Sequence, residues 1–186
     1  MRPADRDELA DILRERSVRT GQFTLASGRR SDFYVDVKQT ALHPRGARLL
    51  GQALLERVRE TSPDATAVAG VALGGVPLCT AVAMASDDDG GRALPALVVR
   101  KQPKEYGTSA AIEGARNVAD DAQIVLLEDT VTSGGSSIRA LQRLKEAGYQ
   151  TVALIAVVDR QEGGADAIEA SGAPFHALFT RADLVG

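Results

Sequence analysis

The stretch Gln123 to Ser137, read QIVLLEDTVTSGGSS, leaves the chain few choices of local fold. The apolar run Ile124 to Leu127 has the length of one buried strand. It ends in two adjacent acids, Glu128 and Asp129. A hydroxyl- and glycine-rich turn follows: Thr130, Val131, Thr132, Ser133, Gly134, Gly135, Ser136 and Ser137. Ile138, Leu141 and Leu144, at three-residue spacing, then predict a helix that stops at Gly148. A turn of this kind presents backbone N–H groups and hydroxyls at a helix N-terminus, an arrangement suited to phosphate. Acids at its mouth repel phosphate but accept hydrogen bonds from sugar hydroxyls, so a ribose 5-phosphate satisfies both halves. The loops GxxxxGK[ST] and GxGxxG are absent. An ordinary N-cap and glycine turn would account for the hydroxyls and glycines, but not for two acids side by side at a buried strand's end, which are costly without a ligand or partner.

Other segments carry the same strand-then-turn grammar. Residues 5–16 place Leu9, Ile12 and Leu13 on one helical face. In residues 23–38, Phe23 and Leu25 alternate with polar residues, Ser27-Gly28 makes a turn, and Phe33, Val35 and Val37 alternate again, predicting a hairpin. Its aromatics suit a flap over a base as well as a plain structural hairpin. Pro44 opens a helix to about Glu60. Ala65 to Ala72 is a buried strand running into Leu73-Gly74-Gly75, which opens a helix over 77–85 and offers a second set of N–H donors for an anion. Tight strand–helix packing around glycine would explain the same residues. Ser86 to Arg92 reads as a solvated loop and Pro95 to Arg100 as a short strand. About twenty residues without apolar period follow, the pattern of a functional loop or hairpin; a solvated charged loop would also account for them, but Arg100, Lys101 and Lys104 make it a candidate anion clamp. Thr151 to Val158 is the most apolar strand and ends in Asp159-Arg160-Gln161-Glu162. A short helix over 165–171 and a strand from Pro174 to Thr180 complete the chain.

Strands alternating with helices imply an α/β fold with a mostly parallel central sheet flanked by helices, whose ligands sit at the carboxyl ends of the strands. Each candidate motif lies at such an end. At 186 residues one domain suffices. A net charge of −3 gives no reason to expect nucleic acid or an acidic membrane surface as partner. The single cysteine, Cys79, excludes an internal disulfide and reads as core. The charged N-terminal region and the absence of a long apolar run predict a soluble cytoplasmic protein.

Taken in order, FTLASGRRSDFYVD, VRKQPKEYGT, IVLLEDTVTSGG and VVDRQEGG resemble the orotate phosphoribosyltransferase family over nearly the full length. The central motif alone resembles type I phosphoribosyltransferases at large. The Arg-Lys-x-x-Lys loop and the Asp-Arg-Gln-Glu point to the orotate branch. The resemblance implies a type I phosphoribosyltransferase fold in a single domain over 1–186, with a small hood from about 1–40 and a core over about 45–180. It implies transfer of phosphoribosyl from phosphoribosyl diphosphate (PRPP) to N1 of orotate, with Mg2+ held mainly through substrate and with a homodimer sharing its active site. By the same resemblance Lys101 and Asp129 are catalytic. Arg100, Lys101, Lys104, Tyr106, Glu128, Asp129, Thr130, Val131, Thr132, Ser133, Gly134, Gly135 and Ser136 bind PRPP, and Thr132, Arg160, Tyr34 and Val35 meet orotate. Several positions depart from many bacterial members: Ala26 where they carry Lys, Leu73-Gly74 where they carry Tyr-Lys, and Tyr106 where they carry His. A purine or uracil phosphoribosyltransferase is one alternative, disfavoured by Arg160 and the SGRRSDFY segment. A PRPP-sensing regulator is another, disfavoured by the lack of a basic face or a further domain.

Overall fold

The computed structural model describes residues 2–24, 30–101 and 111–185. The chain opens with helix α1 (Pro3–Arg16), strand β1 (Val18–Thr24), strand β2 (Arg30–Val35) and the single turn α2 (Lys38–Ala41). Helix α3 (Pro44–Thr61), strand β3 (Ala67–Val71), helix α4 (Gly75–Asp88), and strands β4 (Ala96–Val99) and β5 (Ile112–Glu113) follow. The second half alternates strictly: β6 (Gln123–Val131), α5 (Gly135–Glu146), β7 (Gln150–Asp159), α6 (Gly164–Ala170), β8 (Phe175–Thr180) and α7 (Arg181–Val185).

Six strands form one sheet in the order β5-β4-β3-β6-β7-β8, parallel throughout except for β5, which runs antiparallel on β4. The expected parallel sheet is present. From β3 the chain moves to β4 on one side and then returns to β6 on the other. That reversal opens a crevice beyond the carboxyl ends of β3 and β6. A separate antiparallel pair, β1-β2, is the predicted hairpin. Its Ser27-Gly28 turn, with Leu25 and Ala26, lies outside the described residues.

Strand periodicity divides the core. Val68, Val125, Leu127, Ile155 and Val157 face α1, α3 and α4 through Leu9, Leu13, Leu49, Leu50, Leu54, Leu78 and Val82. Ala67, Ala69, Leu97, Ile124, Leu126 and Leu154 face the other way, onto Ala140, Leu144 and Ile168. Each buried leucine in these layers contributes about 1.5–3 kcal/mol of transfer free energy. Cys79 belongs to the first layer. Burial pushes its thiol up to about 11, so it is unreactive packing.

Four expectations change. The first three residues of the loop expected over Ser86 to Arg92 are instead the end of α4, and Ser86 is buried, its hydroxyl donating to the Ala83 carbonyl and accepting from the Leu94 amide at 2.8 Å. The helix expected at 77 begins at Gly75. Strand β1 begins at Val18, before the Phe23 at which the hairpin was expected to start, while Ile112–Glu113 pair antiparallel with the free edge of β4 as the return of the loop or hairpin expected after Arg100. The strand expected to stop at Leu127 continues to Val131, through both acids.

Gly70 and Gly75 explain how α4 starts so close to the sheet. A methyl group on Gly70 would lie 2.2 Å from the Gly75 carbonyl oxygen and 2.9 Å from the Cys79 sulfur. Gly70→Ala gains a little by restricting the unfolded chain, but backbone blocks the new carbon. Overpacking of this kind costs about 1–3 kcal/mol. The thermal midpoint is therefore expected to fall by roughly 3–10 °C; an unchanged melting curve would contradict the close approach.

Candidate active site

The alternation that divides the core also separates the two acids. Glu128 continues the Ile124–Leu126 face and points at α5; Asp129 continues the Val125–Leu127 face and points at the start of α4. Glu128 is buried, and its Oε2 accepts from the Ser137 hydroxyl at 3.1 Å and the Ser136 hydroxyl at 3.5 Å. Asp129 Oδ2 lies 2.0 Å from where a β-carbon on Gly74 would sit, so the carboxylate lies directly against the Gly74 backbone and would have to move for any side chain there. Its Oδ1 accepts from the Thr130 amide at 2.8 Å. The two carboxylates remain close enough to interact, but their partners differ: Asp129 lies against Gly74 and Glu128 is tied to the serines of α5.

Burial, reinforced by the neighbouring Asp129 charge, raises the Glu128 carboxyl from its ordinary value near 4.5 to about 8. In that window the folded protein keeps a proton that the unfolded chain releases. Stability is unaffected by this group below the unfolded value, falls as pH rises from about 4.5 toward 8, and stays reduced above it. A shift of this size is worth a few kcal/mol, of order 1.4 kcal/mol per pH unit. Glu128→Gln is expected to flatten the loss of stability between pH 5 and 8, roughly the span of the shift. Denaturant melts of both proteins at several pH values test this; parallel profiles would rule it out.

The turn is tightly built. Gly134 has φ +77°, which favours glycine, and α5 begins at Gly135. Gly164, at the start of α6, packs against Val131, the Thr132 carbonyl and the Gly134 amide, so α6 buttresses the turn from behind. Thr132 and Ser136 are half-exposed and Ser133 is exposed. Thr130 is half-exposed and Val131 buried, its carbonyl accepting from the Arg160 amide at 3.0 Å.

Arg160 follows β7 and joins the crevice to the hairpin. Its guanidinium is buried, donates from Nη2 to the Phe33 carbonyl at 3.2 Å, pairs with Glu162 at 2.7 Å, and lies 5.8 Å from the Phe33 ring centroid. Arg181, from α7, approaches the same ring at 5.4 Å and pairs with Asp32 at 2.8 Å. Tyr34 is partly exposed and tilts against Phe23 at 5.7 Å; Val35 is half-buried.

On the opposite flank, Arg100 pairs with Glu113 at 2.8 Å and Lys101 is exposed. Arg143 of α5 donates to the carbonyls of both Arg100 and Lys101, fixing the carboxyl end of β4 to the helix that carries the turn. Lys104 and Tyr106 lie outside the described residues. Sequence reasoning overlooked Arg143 and also Lys38, at the start of α2. Lys38 Nζ stands 2.5 Å from Asp36 Oδ1 and 3.8 Å from Asp129 Oδ2. The available signal was weak: one of few lysines, two residues after an acid at the end of the hairpin. Among the described residues no group of three or more His, Cys, Asp or Glu side chains forms a metal cage.

The phosphoribosyl transferase domain family matches residues 36–170, a span that holds Asp129, the turn after β6 and Arg160. The orotate phosphoribosyltransferase of Sorangium cellulosum is 44% identical over 182 residues, covering 98% of this chain and 94% of that protein. That of a Nostoc species is 43% identical over 179 residues, covering 96% and 84%. Among solved structures, Mycobacterium tuberculosis orotate phosphoribosyltransferase in complex with PRPP superposes with a TM-score of 0.79 at 35% identity, covering 97% of this chain and 98% of that one. Likeness of this extent takes in the hairpin and the β7 end as well as the central turn, and the chain belongs to the orotate phosphoribosyltransferase family, on the type I phosphoribosyltransferase fold.

Proposed function

We propose that the protein is an orotate phosphoribosyltransferase: a pentosyltransferase of pyrimidine biosynthesis that joins N1 of orotate to C1′ of PRPP, giving orotidine 5′-monophosphate and diphosphate. The observation that carries the substrate assignment is the position of Arg160. A buried guanidinium at the end of β7 faces the Phe33–Tyr34 segment of the hairpin, beside the turn suited to phosphate. A buried planar fork beside the Phe33 ring is suited to the carboxylate that distinguishes orotate from uracil.

In this reading residues Thr130 to Ser136 hold the 5′-phosphate on the turn and the N-terminus of α5. Asp129 accepts from the ribose hydroxyls, and Glu128 supports the turn through its serines. Arg100, Lys101, Lys104 and Tyr106 surround the diphosphate. Thr132, Arg160, and the backbone at Tyr34 and Val35 hold orotate. The C1′–O bond to diphosphate breaks as the N1–C1′ bond forms, and positive charge develops on the ribose ring. Orotate is already anionic, so no strong general base is required. The protein's contribution is alignment, together with neutralisation of the leaving diphosphate.

One crevice carboxylate, Asp129, suits a hard cation bound mainly through substrate oxygens. Mg2+ bound there with PRPP would supply charge neutralisation of the diphosphate. A homodimer in which Lys101 serves the neighbouring site completes the reading.

The test is to mix the protein with PRPP, Mg2+ and orotate and follow the loss of orotate absorbance. Turnover with orotate and none with uracil, adenine or guanine is expected. Consumption of another base in its place would overturn the assignment.

A further inference from the structure

Lys38 stands where the crevice needs positive charge and its nearer wall supplies none. Residues 72–77, Ala-Leu-Gly-Gly-Val-Pro, form the turn after β3 and carry no charged side chain. Leu73 is well exposed at its tip, and the Asp129 carboxylate lies directly against Gly74. Asp36 adds a second carboxylate on the same side. A polyanionic sugar diphosphate entering between this turn and β6 would meet two negative groups and backbone N–H donors, with no cation from the turn itself.

The Lys38 ammonium occupies this position by construction. Asp36 is fixed by its own amide, which donates to the Ser17 carbonyl at 2.9 Å, and it accepts from the Lys38 amide at 3.3 Å and the Gln39 side chain at 3.2 Å. So held, Asp36 anchors the ammonium 2.5 Å away and directs it to Asp129 Oδ2 at 3.8 Å. The lysine side chain remains about a third exposed, so one side is open to a ligand. The hydrogen bond to Asp36, opposed by partial burial and assisted by the Asp129 charge, raises the Lys38 pKa above its ordinary value and keeps the group cationic at neutral pH. Of the other described cations near the crevice, Arg143 is engaged with the carbonyls of Arg100 and Lys101 and Arg100 with Glu113, while the exposed Lys101 stands at the carboxyl end of β4, not on the β3 turn.

We infer that Lys38 is a substrate-binding cation of the PRPP site: its ammonium, held by Asp36, meets the diphosphate on the β3 side of the crevice and screens it from Asp129. This rests on the PRPP-dependent activity proposed above. Lys38 forms no covalent bond in the reaction and gives up no proton. It stabilises the charge that accumulates on the leaving diphosphate as the C1′–O bond breaks.

Lys38→Met, which keeps the aliphatic stem, and Lys38→Arg, which keeps the charge, are compared with the unaltered protein. Three ligands are titrated: PRPP, inorganic diphosphate, and orotidine 5′-monophosphate, which has the ribose and 5′-phosphate but no diphosphate. In Lys38→Met, binding of PRPP and of diphosphate is expected to weaken roughly ten- to a hundredfold, as for loss of one charge-assisted hydrogen bond. Binding of the nucleotide should change by less than about threefold, the scale of an exposed contact. Lys38→Arg should recover most of the loss. Equal weakening of all three ligands would mean that Lys38 only orients Asp129 or the fold, and would overturn the inference. Unchanged PRPP and diphosphate binding in a protein that still turns over orotate would also overturn it. Failure of the unaltered protein to bind PRPP would instead remove the underlying functional reading, and this inference with it.

Discussion

Arg160→Ala is expected to weaken orotate binding by roughly 30-fold to several thousandfold, as for truncation of one partner of a desolvated charge pair worth about 2–5 kcal/mol. PRPP binding should change little. The guanidinium is only 6% exposed, so a carboxylate bound beside it exchanges water for a charge-assisted pair in a low-dielectric pocket. Glu162 supplies its counter-ion at 2.7 Å, and an orotate carboxylate would share the guanidinium with Glu162 or displace it. The same substitution removes the donor to the Phe33 carbonyl and leaves Glu162 without this charge, which should lower stability by about 1–3 kcal/mol. The two effects are separable. Glu162→Gln disturbs the ion pair but spares the fork, and should cost stability without abolishing the preference for orotate. Calorimetric titration of orotate and PRPP into each variant, beside a thermal melt, gives the answer. If Arg160→Ala loses stability but binds orotate normally, Arg160 is a structural tie between β7 and the hairpin and nothing more.

The second large effect concerns two inactive proteins that are expected to become active together. Asp129→Asn retains hydrogen-bonding capacity but loses the charge that favours a positive ribose ring, so its turnover should fall more than its PRPP affinity. Lys101→Ala removes an exposed cation at the carboxyl end of β4. If Lys101 serves the neighbouring subunit's crevice, a mixed dimer has one site with both groups intact and one with neither. Free exchange puts half the chains' dimers in the mixed form, so activity should return to about a quarter of the unaltered level. If Lys101 serves its own chain, both sites of the mixed dimer are damaged and activity stays at the parental level. Silence after exchange has been demonstrated by mass or fluorescence labelling would sink the shared site.

The alternating half of the fold was legible in sequence because long apolar runs and three-residue spacings have only one good solution when both faces of a sheet are covered. Gly135–Glu146 and Pro44–Thr61 are such cases. The short pieces were not legible, for physical reasons. Ile112–Glu113 has no pattern of its own and becomes a strand because β4 offers an open edge. Arg181–Val185 is too short to show a helical period. The candidate site was legible as a set of motifs at strand ends, and the sheet brings Asp129, the Thr132–Ser136 turn and Arg160 to one edge. Its division of labour was not. Adjacent acids look equivalent in sequence, whereas the pleat sends one to α5 and the other to Gly74. Lys38 and Phe33 acquire their partners, Asp129 and Arg160, only through contacts between distant parts of the chain.

The close approaches at Gly70 and Gly75 have a consequence for how such a protein can diverge. At Gly70 and Gly75 the floor of the crevice is main chain packed against main chain, with Cys79 and Leu127 alongside, and it admits no side chain. A surface of this kind has almost nothing for mutation to vary: nearly every replacement collides with backbone. Variation in what is recognised is therefore confined to the rim, to the hairpin residues Phe33 and Tyr34 and to the Arg160–Glu162 corner. A lineage can exchange the base it accepts by rewriting a few rim positions while inheriting the sugar-phosphate platform unaltered. A selection for new base specificity should accordingly recover substitutions on β2 and after β7, and leave Gly70 and Gly75 untouched.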